Sequence, residues 1–256
     1  MDHPTAHNRR VYEREYLAEH LQQNSVIPYD KRVTQLRYRL LQQYCKNRRV
    51  ADLGCGTGAY LFSIALLTQK IYGIDFSKKF LSILRKKIPP TLRKKISILE
   101  EDVQQLRLPD ACVHVAYSFA TLYHVPHAER AVREMQRILK KDGIAIIELG
   151  AFWSLNTLIS MKNKQGVRAY HLPVRKMRAY LRQANFAVLE HRCFQLLPMY
   201  GVSVWWMKPL LPLCTTYWRY VMGIQIGEKM LDEWVSSLPL LNRLAFRHFF
   251  ICRKNA

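Results

Sequence analysis

The run Val50-Ala51-Asp52-Leu53-Gly54-Cys55-Gly56-Thr57-Gly58-Ala59-Tyr60 decides how this chain is read. Val50–Leu53 is a short apolar strand that ends at Gly54. Glycines at alternate positions then let the backbone turn sharply and approach a ligand closely. Ala59–Leu67 continues as an apolar helix, whose N-terminus offers free N–H groups and a positive dipole end. With Ala59 accepted at the last place, Gly54-x-Gly56-x-x-Ala59 also satisfies a relaxed dinucleotide-binding fingerprint. Asp52 argues against that reading. A carboxylate two residues before the first glycine would repel a pyrophosphate, and it suits a ligand carrying sulfonium and ammonium charges. The third glycine, four residues after the first, completes a D-x-G-x-G-x-G spacing.

Outward from this loop the chain alternates strands and helices. Lys70–Asp75 reads as a strand. Ser77 is placed to cap the next helix, with Phe80, Leu81, Leu84 and Ile88 on one face, and Pro89-Pro90 ends it. Ile96–Leu99 is a third strand and Cys112–Phe119 a fourth. Ala128, Ala131, Val132, Met135, Ile138 and Leu139 make a helical stripe. Asp142-Gly143 is a turn, and Ile144–Leu149 is a fifth strand. Val174, Met177, Leu181 and Ala184 share a helix face, and Asn185 fits a left-handed stop. Phe186–Leu189 and His248–Cys252 read as the sixth and seventh strands. Residues 1–47 read as helical, with Val33, Leu36, Leu40 and Leu41 at helical spacing. This rhythm predicts an α/β fold, a doubly wound, seven-stranded, mainly parallel sheet with N-terminal helices and a helical insertion before the last strand. Ligands of such sheets bind outside the carboxyl ends of the strands, where the strand order reverses.

VADLGCGTG resembles motif I of the class I S-adenosylmethionine-dependent methyltransferases, in their small-molecule type, and other motifs of that family follow in order over residues 48–192. The resemblance implies the Rossmann-like methyltransferase fold and S-adenosylmethionine as cofactor, held by Asp52, Gly54, Cys55, Gly56 and Gly58. Asp75-Phe76, at the end of the second strand, resembles the acidic position that takes both ribose hydroxyls. Asp102-Val103, after the third, resembles the pair that holds the adenine. Ser118–Tyr123 falls where the family lines the methionine part and the reaction site. Methyl transfer is an in-line displacement, so alignment and exclusion of water come first and a general base is optional. Tyr123, His124 and Glu148 are the candidates for the reaction centre. His124 either accepts a proton or packs on the cofactor, and Glu148 is either a base or a buried hydrogen-bonding acid. His124 and His127 do not read as a metal pair, because Pro126 breaks the helical spacing. The layout expected is one methyltransferase domain over 1–256. Residues 1–47 form a helical lid carrying Tyr12, Tyr16 and Tyr29, with Arg37 or Arg39 near the methionine carboxylate. Residues 48–197 form the cofactor-binding core, 198–245 an aromatic-rich insertion and 246–256 the last strand.

Composition narrows the partners. A formal charge of +21 favours anionic ones, whether RNA, an anionic membrane surface or an acidic small molecule. The six cysteines form no C-x-x-C pair, which predicts free thiols in a reducing cytoplasm. The polar start MDHPTAHNRR has no apolar signal region, and no uncharged apolar run reaches the roughly 20 residues of a membrane span. The aminopurine and cytosine motifs of base methylation are missing, since strand four ends Ser118-Phe119-Ala120-Thr121. Trp205, Trp206 and Trp218 with Tyr200, Tyr217 and Tyr220 suit either a membrane interface or a substrate lid. The expected acceptor is a small or lipid-like molecule, with peripheral contact to an anionic membrane from the cytoplasmic side. An RNA acceptor, at ribose or ring nitrogen, and a non-catalytic binding protein on the same fold stand as the alternatives.

Overall fold

The computed structural model describes residues 4–13, 28–162, 168–197, 216–221 and 224–255, with residues 4, 28–32, 159–162, 218 and 219 by backbone alone. Tyr16, Tyr200, Trp205 and Trp206 lie outside these residues, as do the side chains of Tyr29 and Trp218. Seven strands form one sheet: β1 Arg49–Leu53, β2 Lys70–Asp75, β3 Ile96–Glu100, β4 Val113–Ser118, β5 Leu139–Gly150, β6 Phe186–Phe194 and β7 Arg247–Lys254. Their order is β3-β2-β1-β4-β5-β7-β6. The first five run parallel, and β7 lies antiparallel between β5 and β6.

Eight α-helices accompany the sheet among the described residues: α1 Pro4–Val11, α2 Pro28–Cys45, α3 Leu61–Leu67, α4 Lys78–Lys87, α5 Ala128–Ile138, α6 Leu155–Lys162, α7 Val174–Gln183 and α8 Leu231–Ser237. Side chains alternate across a strand, so neighbouring residues feed opposite faces. Val50, Val115, Ile146 and Phe249 bury against Leu36, Leu40 and Leu41 of α2, with Leu61, Ile64, Leu81 and Leu84 of α3 and α4. Their neighbours Ala51, Ala116, Ile147 and Phe250 bury on the other face against Val132 and Met135 of α5 and Met177 and Leu181 of α7. Covering both faces explains why the central strands read as continuous apolar runs rather than alternating ones.

The expected α/β class, the seven strands and the doubly wound order are all observed. Ser77 caps α4 by accepting from the Phe80 N–H, and Asn185 closes α7 with φ +55°. Four boundaries differ. The helix expected from Ala59 begins at Leu61, because the glycine loop keeps residues through Tyr60 in turns. The turn at Asp142-Gly143 is a bulge inside β5: Leu139 pairs with Val113 and Ile144 with Val115, and Asp142 sits at φ +59°. β6 runs five residues beyond Leu189 because β7 pairs with it along its length. The described part of 198–245 is not wholly helical, since Gln225–Ile226 and Lys229–Met230 form a short antiparallel ladder before α8. Among the described residues no helix is long and apolar enough to cross a membrane.

Candidate active site

β1 is flanked by β2 on one side and β4 on the other, so the chain's connections leave in opposite directions at their carboxyl ends. A cavity of about 510 Å³ opens there, lined from the glycine loop, the ends of β2 to β4, and α1 and α2. Gly54 makes the turn possible: it sits at φ +83°, and a Cβ there would lie 2.2 Å from Thr121 Oγ1. Gly56, at φ +52°, has nothing closer than 4.0 Å where a Cβ would go, which leaves open space beside its backbone for a ligand.

Two carboxylates define the polar floor. Asp52, 4% exposed, accepts from the Tyr117 hydroxyl at 2.9 Å. Burial pushes its pKa up to about 7, with the Tyr117 bond opposing and nearby Asp75 adding to the rise. Asp75 accepts from the backbone N–H of Gly56 and of Ser77, each at 2.9 Å, one on each oxygen. Burial raises its pKa to about 6 against those bonds. A carboxylate offers about four acceptor positions, so capacity remains for a ligand diol.

Asp102 also lines the cavity, braced by the Gln104 side chain at 2.9 Å to both its oxygens. Phe76, Val103, Cys55 and Tyr123 are in the lining as well. His124 lines it edge-on to Tyr12, with ring centroids 5.6 Å apart, and its Nδ1 has no hydrogen-bond partner among the described residues. Burial lowers its pKa to about 3, so the ring is neutral at ordinary pH and a weak proton acceptor.

Three residues expected at the site stand behind it and are not in the lining. The Ser118 hydroxyl is buried and donates to the Leu53 carbonyl at 2.9 Å, tying β4 to β1. Gly58, at φ +85°, makes room for Leu84, whose Cδ1 lies 2.5 Å from where a Cβ would go. Glu148 is buried, takes Arg37 Nη2 at 2.6 and 2.8 Å, and also pairs with Arg247. The two guanidiniums hold its pKa below the usual carboxylate value despite burial. A carboxylate so engaged is a poor base, and the structure favours its reading as a buried acid.

The sequence alone did not single out Asn8, Tyr60 or Gln104. Asn8 is 1% exposed and pins α1 over the cavity. Its Nδ2 donates to the carbonyls of His124 and Arg168 at 2.9 and 3.0 Å, and its Oδ1 accepts from the Arg168 N–H at 2.9 Å. Arg9 adds an ion pair to Glu100. A lone asparagine in a polar helix gives no periodic signal, so only the contact reveals it. Arg37 is in the lining, its guanidinium 5.4 Å from the centre of the Phe119 ring and 3.2 Å from the Tyr60 hydroxyl.

Residues 51–147 match the family described as "Methyltransferase domain". A demethylmenaquinone methyltransferase of Lactobacillus johnsonii is 35% identical over 104 residues, 38% of this chain and 42% of that protein. A phosphatidylethanolamine N-methyltransferase of Cereibacter sphaeroides is 31% identical over 102 residues, 39% of this chain and 49% of that protein. Among solved structures, magnesium protoporphyrin IX methyltransferase from Synechocystis, which has S-adenosylmethionine bound, superposes with a TM-score of 0.65 at 12% identity, covering 100% of this chain and 99% of that one. The chain spans only about two fifths of the length of the first curated relatives it matches, at 39 to 41%. The glycine loop, the two carboxylates and the free space at Gly56 fit the cofactor's amino acid and ribose chemistry, and the strand order and the family match agree with them. The family match over residues 51–147, taken with the seven-stranded sheet, supports a class I S-adenosylmethionine-dependent methyltransferase.

Proposed function

We propose that the chain transfers a methyl group from S-adenosylmethionine to a small or lipid-like acceptor in the cavity above β1 and β4. The observation that carries the acceptor reading is the character of the lining. It is enclosed by α1 and α2, and its charged members among the described residues are Asp52, Asp75, Glu101, Asp102 and Arg37. Four acids and one cation make a poor entrance for a polyanion, so an RNA acceptor is disfavoured in spite of the +21 charge. The aromatic wall of Tyr12, Tyr60, Phe119 and Tyr123 suits an apolar or conjugated acceptor.

The cofactor supplies an activated methyl on a positively charged sulfur. The chain's part is to bind and align. Asp52 offers its carboxylate to the positive charge, and Asp75 offers its remaining acceptor positions to the ribose diol. Asp102 and Val103 face the adenine end, and Gly54 and Gly56 allow close backbone approach. Tyr123 and His124 stand at the reaction end, where a neutral imidazole packs and excludes water rather than taking a proton. Residues 1–47 act as the lid, latched by Asn8, and the whole chain works as one domain. Exposed Ile224, Ile226, Trp234, Leu238, Leu240 and Leu244, all within the stretch 198–245 in sequence, support a lipid-like acceptor met at an anionic membrane surface.

The test uses methyl-labelled S-adenosylmethionine, the purified protein and a cell extract, with Asp75→Ala as control. Label in the organic or small-molecule fraction that the control lacks is the expected result. Label in nuclease-sensitive material would make the charge, not the lidded cavity, the functional feature.

A further inference from the structure

Arg37 reaches the cavity from α2, while its partners Glu148 and Arg247 stay behind the wall. Among the described residues this cluster holds two guanidiniums against one carboxylate. Glu148 is completely buried, and both arginine side chains are nearly so, at 12% and 11% exposure. Charges in such a place are costly unless each is paired and hydrogen-bonded. Arg247 is fixed from behind, donating to Gln195 Oε1 at 2.6 Å. Arg37 Nη2 is spent on Glu148 and one Nη1 proton on Tyr60, while Nε has no partner among the described residues. A guanidinium has five N–H donors, so beside the shielded Nε one Nη1 proton remains. The acidic residues of the lining stand at the ends of β1 to β3; Arg37 stands instead over Phe119, beyond β4, and against Glu148 of β5.

We infer that Arg37, held by Glu148 and Arg247, is an oxyanion subsite of this cavity that receives the acceptor's own carboxylate, phenolate or enolate. This rests on the methyl-transfer reading above and names its acceptor class. It also accounts for the poor bases at the site. When the nucleophile is already an oxyanion, its oxygen bonds to the methyl carbon, the carbon–sulfur bond breaks with its electron pair remaining on sulfur, and no proton moves. A fixed cation beside the acceptor keeps it deprotonated at neutral pH. The cofactor's own carboxylate carries the same chemistry and is the other source the subsite can serve.

Arg37→Gln separates these sources and leaves the fold intact, because Glu148 keeps Arg247 as a balanced pair. Binding is measured calorimetrically with four probes: S-adenosylhomocysteine, 5′-methylthioadenosine (which lacks the amino acid part), and, with saturating S-adenosylhomocysteine, 2-naphthoate and its neutral twin 2-naphthamide. The expected result is that Arg37→Gln weakens naphthoate binding about ten- to a hundredfold and leaves the amide and both nucleosides unchanged. A loss confined to S-adenosylhomocysteine, with 5′-methylthioadenosine unchanged, assigns the oxyanion subsite to the cofactor. No preference of the wild type for naphthoate over the amide, together with unchanged S-adenosylhomocysteine affinity in Arg37→Gln, overturns the inference. Failure of the underlying reading is distinct, since the wild type would then bind no S-adenosylhomocysteine and Asp75→Ala would change nothing.

Discussion

Binding of S-adenosylmethionine should be coupled to loss of a proton from Asp52, and Asp52→Asn should break the coupling. In the ligand-free protein Asp52 has its pKa pushed up to about 7 and Asp75 to about 6. A positively charged ligand needs Asp52 ionised, and at pH 5 a group with pKa about 7 is ionised in roughly one molecule in a hundred. Affinity should therefore fall about a hundredfold between pH 8 and pH 5 through Asp52, with about another tenfold through Asp75. The same shift sets the stability of the free protein. A carboxyl with a raised folded pKa contributes stability that is present below the unfolded value of 3.8 and lost as pH rises through about 7. Asp52→Asn removes that loss, so at pH 8 the free variant should be more stable, by up to about 4 kcal/mol. The assay is titration calorimetry from pH 5 to 9 alongside urea denaturation of the free protein. Wild-type affinity that is flat with pH, or the same slope in Asp52→Asn, would refute the argument.

Three further outcomes follow from the packing. Gly54→Ala forces a Cβ onto Thr121 Oγ1 at 2.2 Å with φ at +83°, and should destabilise by about 2 kcal/mol or more in urea melts, with Thr121→Ser restoring only part because the backbone strain remains. Glu148→Gln removes the anion that Arg37 and Arg247 share, and should cost about 3–5 kcal/mol by chemical denaturation. Asn8→Ala removes three hydrogen bonds that hold α1 over the cavity, and hydrogen exchange of residues 4–13 should accelerate while that of β1 and β4 stays slow.

The seven strands were legible in the sequence because each is a local apolar run bounded by its own punctuation: glycines after Leu53, Ser77 capping α4, Pro89-Pro90, and Asn185 closing α7. The cavity end proposed to hold the cofactor was legible for a related reason. Asp52, Gly54, Gly56, Asp75 and Asp102 sit at strand ends, and their place in the chain sets their place in space once the sheet is doubly wound. Contacts between distant segments have no such trace. Nothing local distinguishes Asn8 from other polar residues of α1, yet it bridges 116 and 160 positions to His124 and Arg168. Nothing local tells whether Glu148 is a base or a buried acid. What favours the buried acid is its pairing with Arg37 from α2 and Arg247 from β7, which arrive 111 positions before it and 99 after it. Ser118 looked like a lining residue from its position, and the pleat turned it inward to Leu53. By itself the sequence determined the fold class and the cofactor loop, because short-range periodicity and glycine conformation govern both. The polarity of the acceptor end was left to the tertiary structure, because the pairing of buried charges there depends on which distant helix and strand meet across the sheet.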